Sequence, residues 1–159
     1  GGSVGEGGDI GQGYENWGKA IKEVEDIGVK VLVENTAGGK NSVARYMDSI
    51  ERLWEVIGHL NVGLCLDTCH TWAGGIPTIE AVKGFKKLVK KIDLIHFNDS
   101  KDGFESSRDR HENLGKGQIP KEELEYVIKN AKTDIIVETP NGPDAQKKDI
   151  AWIKRRLKK

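Results

Sequence analysis

Cysteine is scarce in this sequence, with Cys65 and Cys69 as the two thiols among 159 residues. Two thiols cannot build a disulfide framework. They flank a predicted strand end, where a mutual bridge would distort the backbone, so both are expected to be reduced. A metal role for the two thiols is the second reading, disfavoured because the third and fourth sulfur ligands are missing. Neither sign of charge is in excess: 25 Lys and Arg stand against 25 Asp and Glu. Any contact with nucleic acid must therefore come from a local patch. No apolar run approaches the roughly 18 residues that cross a bilayer, and the start lacks the basic region and apolar stretch of a signal peptide. A cytoplasmic protein with no membrane partner is expected. An initial methionine is absent too. The chain begins Gly1-Gly2-Ser3 and enters a Gly-rich loop, GGSVGEGGDIGQG, with no strand before it, which reads as the middle of a fold. Phosphate-loop chemistry is excluded: Gly38-Gly39-Lys40-Asn41-Ser42 lacks the Ser or Thr directly after Lys that a P-loop needs.

Alternation of strand and helix is what the chain has in quantity. Tyr14–Ile27 carries helical apolar spacing at Trp17, Ile21 and Val24 and ends at Gly28, a C-cap signal. Strand Val29–Glu34 follows. Asn41 or Ser42 can cap a helix to about Ile57, and Gly58 stops it before strand Val62–Asp67. Pro77 suits the first turn of a helix to about Lys91. Strand Ile92–Phe97 and a long polar loop, Asn98–Gly117, come next. Pro120 opens a helix to Ala131, strand Asp134–Glu138 follows, and a basic helix from Asp144 to about Leu157 closes the chain.

A strand and helix every ~30 to 40 residues demand a parallel sheet with right-handed crossovers. The fold class is α/β, with one domain over residues 1–159. Four such units, preceded by a loop and helix that want a strand in front of them, match half of a TIM (β/α)8 barrel with its N-terminal half absent. A small open four-stranded sheet is the alternative, because VKVLVE and DIIVE suit a sheet buried on both faces in either fold.

Each of the four predicted strands ends on a residue that can hold a metal: Glu34, Asp67, His96 and Glu138. In parallel α/β folds the C-terminal strand ends face one rim, where barrel enzymes carry their chemistry. His70, Asp109 and His111 sit in the rim loops. His70 comes three residues after Asp67, so the two can serve neighbouring ions, whereas Asp109 and His111 lie on one side of an extended segment and can clamp one ion. Mixed imidazole and carboxylate ligation suits zinc first, then manganese or iron. The set exceeds the needs of one ion. His59 precedes a strand on the opposite rim and is left out. Trp17, Trp54 and Trp152 read as helix core residues, and Trp72 sits beside a ligand loop, where it could stack on a base or sugar.

Five stretches carry a family resemblance: VENTAG at 33–38, GLCLDTCH at 63–70, HFNDSK at 96–101, SRDRHENLGKG at 107–117 and IVETP at 136–140. They resemble the signatures of endonuclease IV, a family that repairs abasic sites in DNA. The resemblance runs from the Gly-rich start almost to the basic tail. It implies the last four βα units of a TIM barrel with three zinc ions that hydrolyses the phosphodiester 5′ to an abasic nucleotide in double-stranded DNA. By that resemblance Glu34 bridges two zincs, Asp67, His96 and Glu138 complete one of those two sites, and His70, Asp109 and His111 hold the third ion. Two further histidine ligands belong to earlier strands and have no counterpart in this sequence. Glu34 and Glu138 are the expected catalytic residues, orienting the attacking water in metal-assisted hydrolysis. Asn35, Lys101, Arg108, Arg110 and Lys116 are candidates for support of the ligands or for phosphate contacts.

Two alternatives stand beside this reading. Xylose-isomerase-like sugar isomerases and epimerases also present Glu, Asp, His and Glu at successive strand ends, but have no need of the third cluster. An isolated half-barrel could instead be inactive, with raw sheet edges covered by the missing N-terminal half or by a second copy of this chain.

Overall fold

The computed structural model of the chain describes residues 9–158. Most of the opening Gly-rich stretch, read above as a loop, and the final Lys159 lie outside the described residues. The order of elements is α1 (Ile10–Val24), a 3₁₀ turn (Glu25–Ile27), β1 (Val31–Glu34), α2 (Met47–Ile57), β2 (Val62–Asp67), α3 (Thr68–Gly74), α4 (Thr78–Leu88), β3 (Leu94–His96), β4 (Asp99–Ser100), β5 (His111–Glu112), α5 (Lys121–Ala131), β6 (Asp134–Ile136) and α6 (Gly142–Leu157). Strands β1, β2, β3 and β6 form one parallel sheet in that order.

Register settles which side chains share a face. Glu34 pairs with Cys65, Asp67 with His96, and His96 with Ile136. Side chains alternate along a strand, so Glu34, Cys65, Asp67, His96, Ile136 and, two residues on, Glu138 all point to one side. Leu64, Leu66 and Ile95 point to the other, into the main core with Phe85, Val82, Leu124, Val127 and Trp152. A smaller core of Tyr14, Ile21, Val33, Leu53 and Ile57 lies under α1 and α2, and Trp54 packs against both.

Helix packing follows the chain, with α1 on α2, α2 on α4, α4 on α5 and α5 on α6. Sequential strand order with one layer of helices is the winding of a barrel segment, whereas a doubly wound sheet reverses its strand order. The face opposite the helices is open at both sides of the sheet: Leu32 is 36% exposed and Ile136 is 49% exposed.

Several boundaries differ from the sequence reading, each for a local reason. Helix α1 starts four residues early because the Asp9 carboxylate accepts from Gly11 N–H at 3.0 Å and caps it. It gives way to a 3₁₀ turn before Gly28, which takes the left-handed conformation at φ 72°. Helix α2 starts at Met47 instead of near Ser42, since the Ser42 hydroxyl lies 2.6 Å from that of Thr36 and Thr36 N–H donates to Ala44 at 2.9 Å, folding 36–45 back onto the strand exit. Ser49 then closes the first turn of α2 through Tyr46 N–H. Helix α4 stops at Leu88 because the chain must extend to bury Ile92 completely. Strand β3 begins only after Asp93, whose carboxylate accepts from Leu64 N–H at 3.0 Å and Lys30 at 2.7 Å, lacing β1, β2 and β3 at the opposite rim. The polar loop 98–117 contains the antiparallel pair β4 and β5.

Truncating Phe85, fully buried between the sheet and its helices, removes a large side chain from the main core. Phe85→Ala is expected to cost about 3–5 kcal/mol, read as a lower midpoint in urea unfolding. A loss under about 1 kcal/mol would mean that this core is not the one that holds the sheet.

Candidate metal centre

Strands β1, β2 and β3 deliver Glu34, Asp67 and His96 at their last residues, and Glu138 follows β6 by two residues. These four bring ligand atoms within 4.8 Å of one another. His96 Nδ1 lies 3.0 Å from Glu34 Oε1 and 3.3 Å from Glu138 Oε2. A second cluster, His70, Asp109 and His111, is equally close-set. Asp109 reaches both imidazoles, 3.1 Å from His70 Nε2 and 3.2 Å from His111 Nε2. Asp67 joins the two groups, its Oδ2 lying 3.6 Å from His111 Nε2.

His70 lies in helix α3 and not in a loop as read from the sequence. The Asp67 carboxylate is the reason: its Oδ1 accepts from His70 N–H at 2.8 Å, capping a helix that starts directly at the strand end. Asp109 and His111 share one side of their segment, as their spacing predicts. Arg110 points away, its guanidinium gripping Asp102 at 2.8 and 2.5 Å. That fork holds the Asp102 carboxyl below its usual range.

Both imidazoles of the second cluster are oriented for a cation. His70 Nδ1 lies 2.8 Å from the Asn35 carbonyl oxygen and His111 Nδ1 lies 3.3 Å from that of Glu138. Each Nδ1 thus carries the proton and leaves a lone pair on Nε2, the arrangement seen at metal-ligating histidines. The two Nε2 atoms are buried without a hydrogen-bond partner, even though Asp109 is at ion-pair distance. Both face the Asp109 carboxylate, at 3.1 and 3.2 Å, and neither meets a donor. Unpaired buried nitrogens are costly, so the residues present fit a bound ion.

Two asparagines hold the rim together, Asn35, named from the sequence as a support candidate, and Asn98, which was not. Asn35 is buried and mimics a ladder partner, accepting from Asp67 N–H at 2.8 Å and donating to the Asp67 carbonyl at 3.2 Å. Of the roles expected for it, support of the ligands is the one its geometry permits. Asn98 does the same between β2 and β6: its Oδ1 accepts from Glu138 N–H at 2.8 Å, and its Nδ2 donates to Asp67 Oδ2 at 2.8 Å. This explains why the fourth strand ends at Ile136 and yet presents Glu138. An amide close behind a ligand-bearing strand end was the available signal. Lys101, Lys116, Arg108 and Arg110 are exposed around the rim. Trp72 is engaged below the loop, its indole N–H donating to the Asp102 carbonyl at 3.1 Å and its ring edge-on to Phe104.

A thiol stands behind each cluster, Cys65 with Glu34 and His96, and Cys69 with Asp67 and His111. Both are free, and burial pushes each up to about 12. Burial likewise raises the Asp67 carboxyl, opposed by the imidazoles of His70 and His111. For His70, burial lowers the imidazole pKa, but Asp67, Asp109, the Asn35 carbonyl and Glu34 outweigh it and the net shift is upward.

Comparison with known proteins adds the family. The sequence profile of the xylose isomerase-like TIM barrel family matches residues 2–156. The chain belongs to this family. Relatives named probable endonuclease 4 include one from Mycobacterium ulcerans (strain Agy99), 44% identical over 99% of this chain and 61% of the relative. Another from Mycobacterium tuberculosis (strain ATCC 25177 / H37Ra) is 46% identical over 98% of this chain and 61% of the relative. The chain thus spans 61% of the length of these curated relatives. Among solved structures, endonuclease IV from Thermus thermophilus matches with a TM-score of 0.75 and 28% identity, over 95% of this chain and 58% of that one. A D-tagatose 3-epimerase-like protein shares the fold at a TM-score of 0.68 and 19% identity, over 94% of this chain and 54% of that one. The barrel family expected from the residues is the one found. No helix of the described residues is long and apolar enough to cross a membrane.

A pH dependence follows from the two upward shifts. His70 starts from 6.5 and Asp67 from 3.8 in the unfolded chain, and folding raises both. Their contribution to metal-free stability is fully present below those unfolded values and is lost as pH rises through the higher folded ones. With chelator present, the melting temperature is expected to fall as pH rises past 6.5, the ordinary histidine value from which His70 is shifted upward. Zinc needs the unprotonated imidazole and should reverse that slope. Thermal melts in chelator and in zinc check both signs, and a rising melting temperature in chelator would contradict them.

Proposed function

We propose that this chain is the C-terminal part of a zinc-dependent DNA repair endonuclease, a single domain of a barrel that hydrolyses the phosphodiester 5′ to an abasic nucleotide in duplex DNA. The observation that carries the reading is the pair of adjoining ligand clusters at one rim, with two buried imidazole nitrogens that have no hydrogen-bond partner. Similarity to proteins named endonuclease 4 supports the same reading.

His70, Asp109 and His111 would hold one ion. Asp67, His96 and Glu138, with Glu34 as the bridging carboxylate, would hold a second, and Glu34 would serve the third together with ligands from outside this chain. When bound, zinc supplies Lewis acidity, neutralising phosphate oxygens and lowering the pKa of a water. The chain's own groups do the rest. Glu34 and Glu138 flank His96 and offer carboxylate oxygens that orient the attacking water and take its proton. Asn35 and Asn98 keep those groups in register. Lys101 and Lys116 offer cations to backbone phosphates, whereas Arg108 and Arg110, both near Asp102 at 3.7 and 2.5 Å, must exchange that partner for a phosphate.

The open sheet face at Leu32 and Ile136 is covered, in this reading, by the remaining barrel strands from an N-terminal half or by a second copy of this chain. The His70, Asp109 and His111 cluster separates the reading from a sugar isomerase, which needs only the strand-end set.

Zinc content and incision of an abasic-site duplex should be measured on this chain alone and on the chain joined to the N-terminal part of a mycobacterial relative. Incision is expected in the joined form, with His111→Ala removing both one ion and the activity. Absence of incision from both forms, with epimerisation of a ketose present, would overturn the reading.

A further inference from the structure

Two carboxylates that take no part in the ligand clusters are buried away from solvent: Asp99 is 0% exposed and Asp149 is 4% exposed. Asp99 accepts from the backbone N–H groups of Ser100 at 2.8 Å, Gly115 at 3.0 Å, Gly117 at 3.0 Å and Ile119 at 3.1 Å. All four donors belong to the β4 strand and the loop after β5, so Asp99 shapes that loop from within. Asp149 behaves differently. It sits on α6, far along the sequence from either cluster, and its three donors come from two ligand-bearing segments. Asn113 Nδ2 at 2.7 Å and Leu114 N–H at 3.0 Å follow His111, and the Thr139 hydroxyl at 2.6 Å follows Glu138.

Further bonds close the same joint. Asn113 Nδ2 also donates to the Pro140 carbonyl at 3.1 Å, and Asn141 Nδ2 donates to Asn113 Oδ1 at 2.6 Å. One buried charge, held by neutral donors alone, therefore pins the exit of the His111 strand to the exit of the Glu138 strand. We propose that Asp149 is a positioning residue that sets the spacing between the His70, Asp109 and His111 ion and the ion at Asp67, His96 and Glu138. The inference rests on the metal-site reading given under Proposed function. Its geometric basis is that a ligand moved by one ångström no longer matches a small cation, whereas a loop with no ligand would tolerate the same shift. Asparagine at 149 would turn one acceptor into a donor facing the Leu114 N–H or the Thr139 hydroxyl, loosening the joint with little change of volume.

The experiment uses the whole chain, titrated with Zn²⁺ and with Co²⁺ as a spectroscopic probe. Ions bound per chain, the affinity of each by competition with a chromophoric chelator, the visible Co²⁺ spectrum and the metal-free melting temperature are read for wild type and Asp149→Asn. His70→Ala identifies which ion and which absorption belong to the His70, Asp109 and His111 cluster. Asp144→Asn, an exposed carboxylate on the first turn of the same helix, serves as control. Asp149→Asn is expected to weaken the ion at His70, Asp109 and His111 by about 10-fold or more and to shift its Co²⁺ bands, with Asp144→Asn unchanged. Thr139→Val, which removes one donor and keeps the charge, should shift both readouts in the same direction by less, and it replaces Asp149→Asn as the test if that variant does not fold. A lowered metal-free melting temperature with wild-type affinity and spectrum would reduce Asp149 to a structural role and overturn the proposal. Failure of the wild-type chain to bind any ion would instead sink the metal-site reading on which the proposal stands.

Discussion

Asp67 has no exposed surface and closes a strand that has a neighbour on each side, so its carboxylate must be satisfied inside the fold. Much of the rim is organised by that requirement. One oxygen caps helix α3 and thereby sets His70, while the other takes the Asn98 amide and faces His111. The backbone of Asp67 is gripped by Asn35. A single buried anion thus reaches both ligand clusters. Burial resists its ionised form and the surrounding imidazoles favour it, a balance that a cation at this rim would decide.

Polar side chains replace the backbone ladder where the strands end. Regular pairing stops at Glu34, Asp67 and His96, and beyond it Asn35 and Asn98 supply donors and acceptors that the splaying strands no longer offer one another. Their amides are short and carry both functions, which suits them to bridge a gap of one residue on each side. The result is a rim that stays in register past the sheet and presents Glu138 alongside His96. Asp99 and Asp149 do for the loop after β5 what the asparagines do for the strand ends. A ligand on a loop is only as well placed as the anchors of that loop, and here the anchors are buried acids, Asp99 bound to backbone N–H groups and Asp149 to one backbone N–H, an amide and a hydroxyl.

At the sheet margins the requirement runs the other way. Leu32 and Ile136 share the interior face with the ligands, yet both are partly open to solvent. In a closed barrel that face is packed. The chain spans 61% of the length of its curated relatives, and four strands account for the sheet. Glu34 lies on the margin strand, with His96 on one side of it and no strand of the described residues on the other.

The fold class and the side chains that gather at the rim were legible in the residues. The apolar VKVLVE and GLCLD segments end on carboxylates that could hold a metal, and glycine or proline punctuates the helices, so local chemistry carries that information by itself. Helix limits such as Met47 and Leu88 were not legible, because long-range bonds from Thr36 and burial of Ile92 decide them. Neither was the assignment of Asp67 as a helix cap, nor the supporting parts played by Asn98, Asp99 and Asp149. Asn98, Asp99 and Asp149 look like ordinary loop or surface polar groups in sequence, and apart from Ser100 beside Asp99 their partners lie 10 to 40 positions away. Sequence determined which atoms can hold a metal, since that is a property of the side chain. Only the tertiary structure decided which of them share a point and which way each nitrogen faces, because register and buried hydrogen bonds orient a ligand and neither exists until the chain is folded.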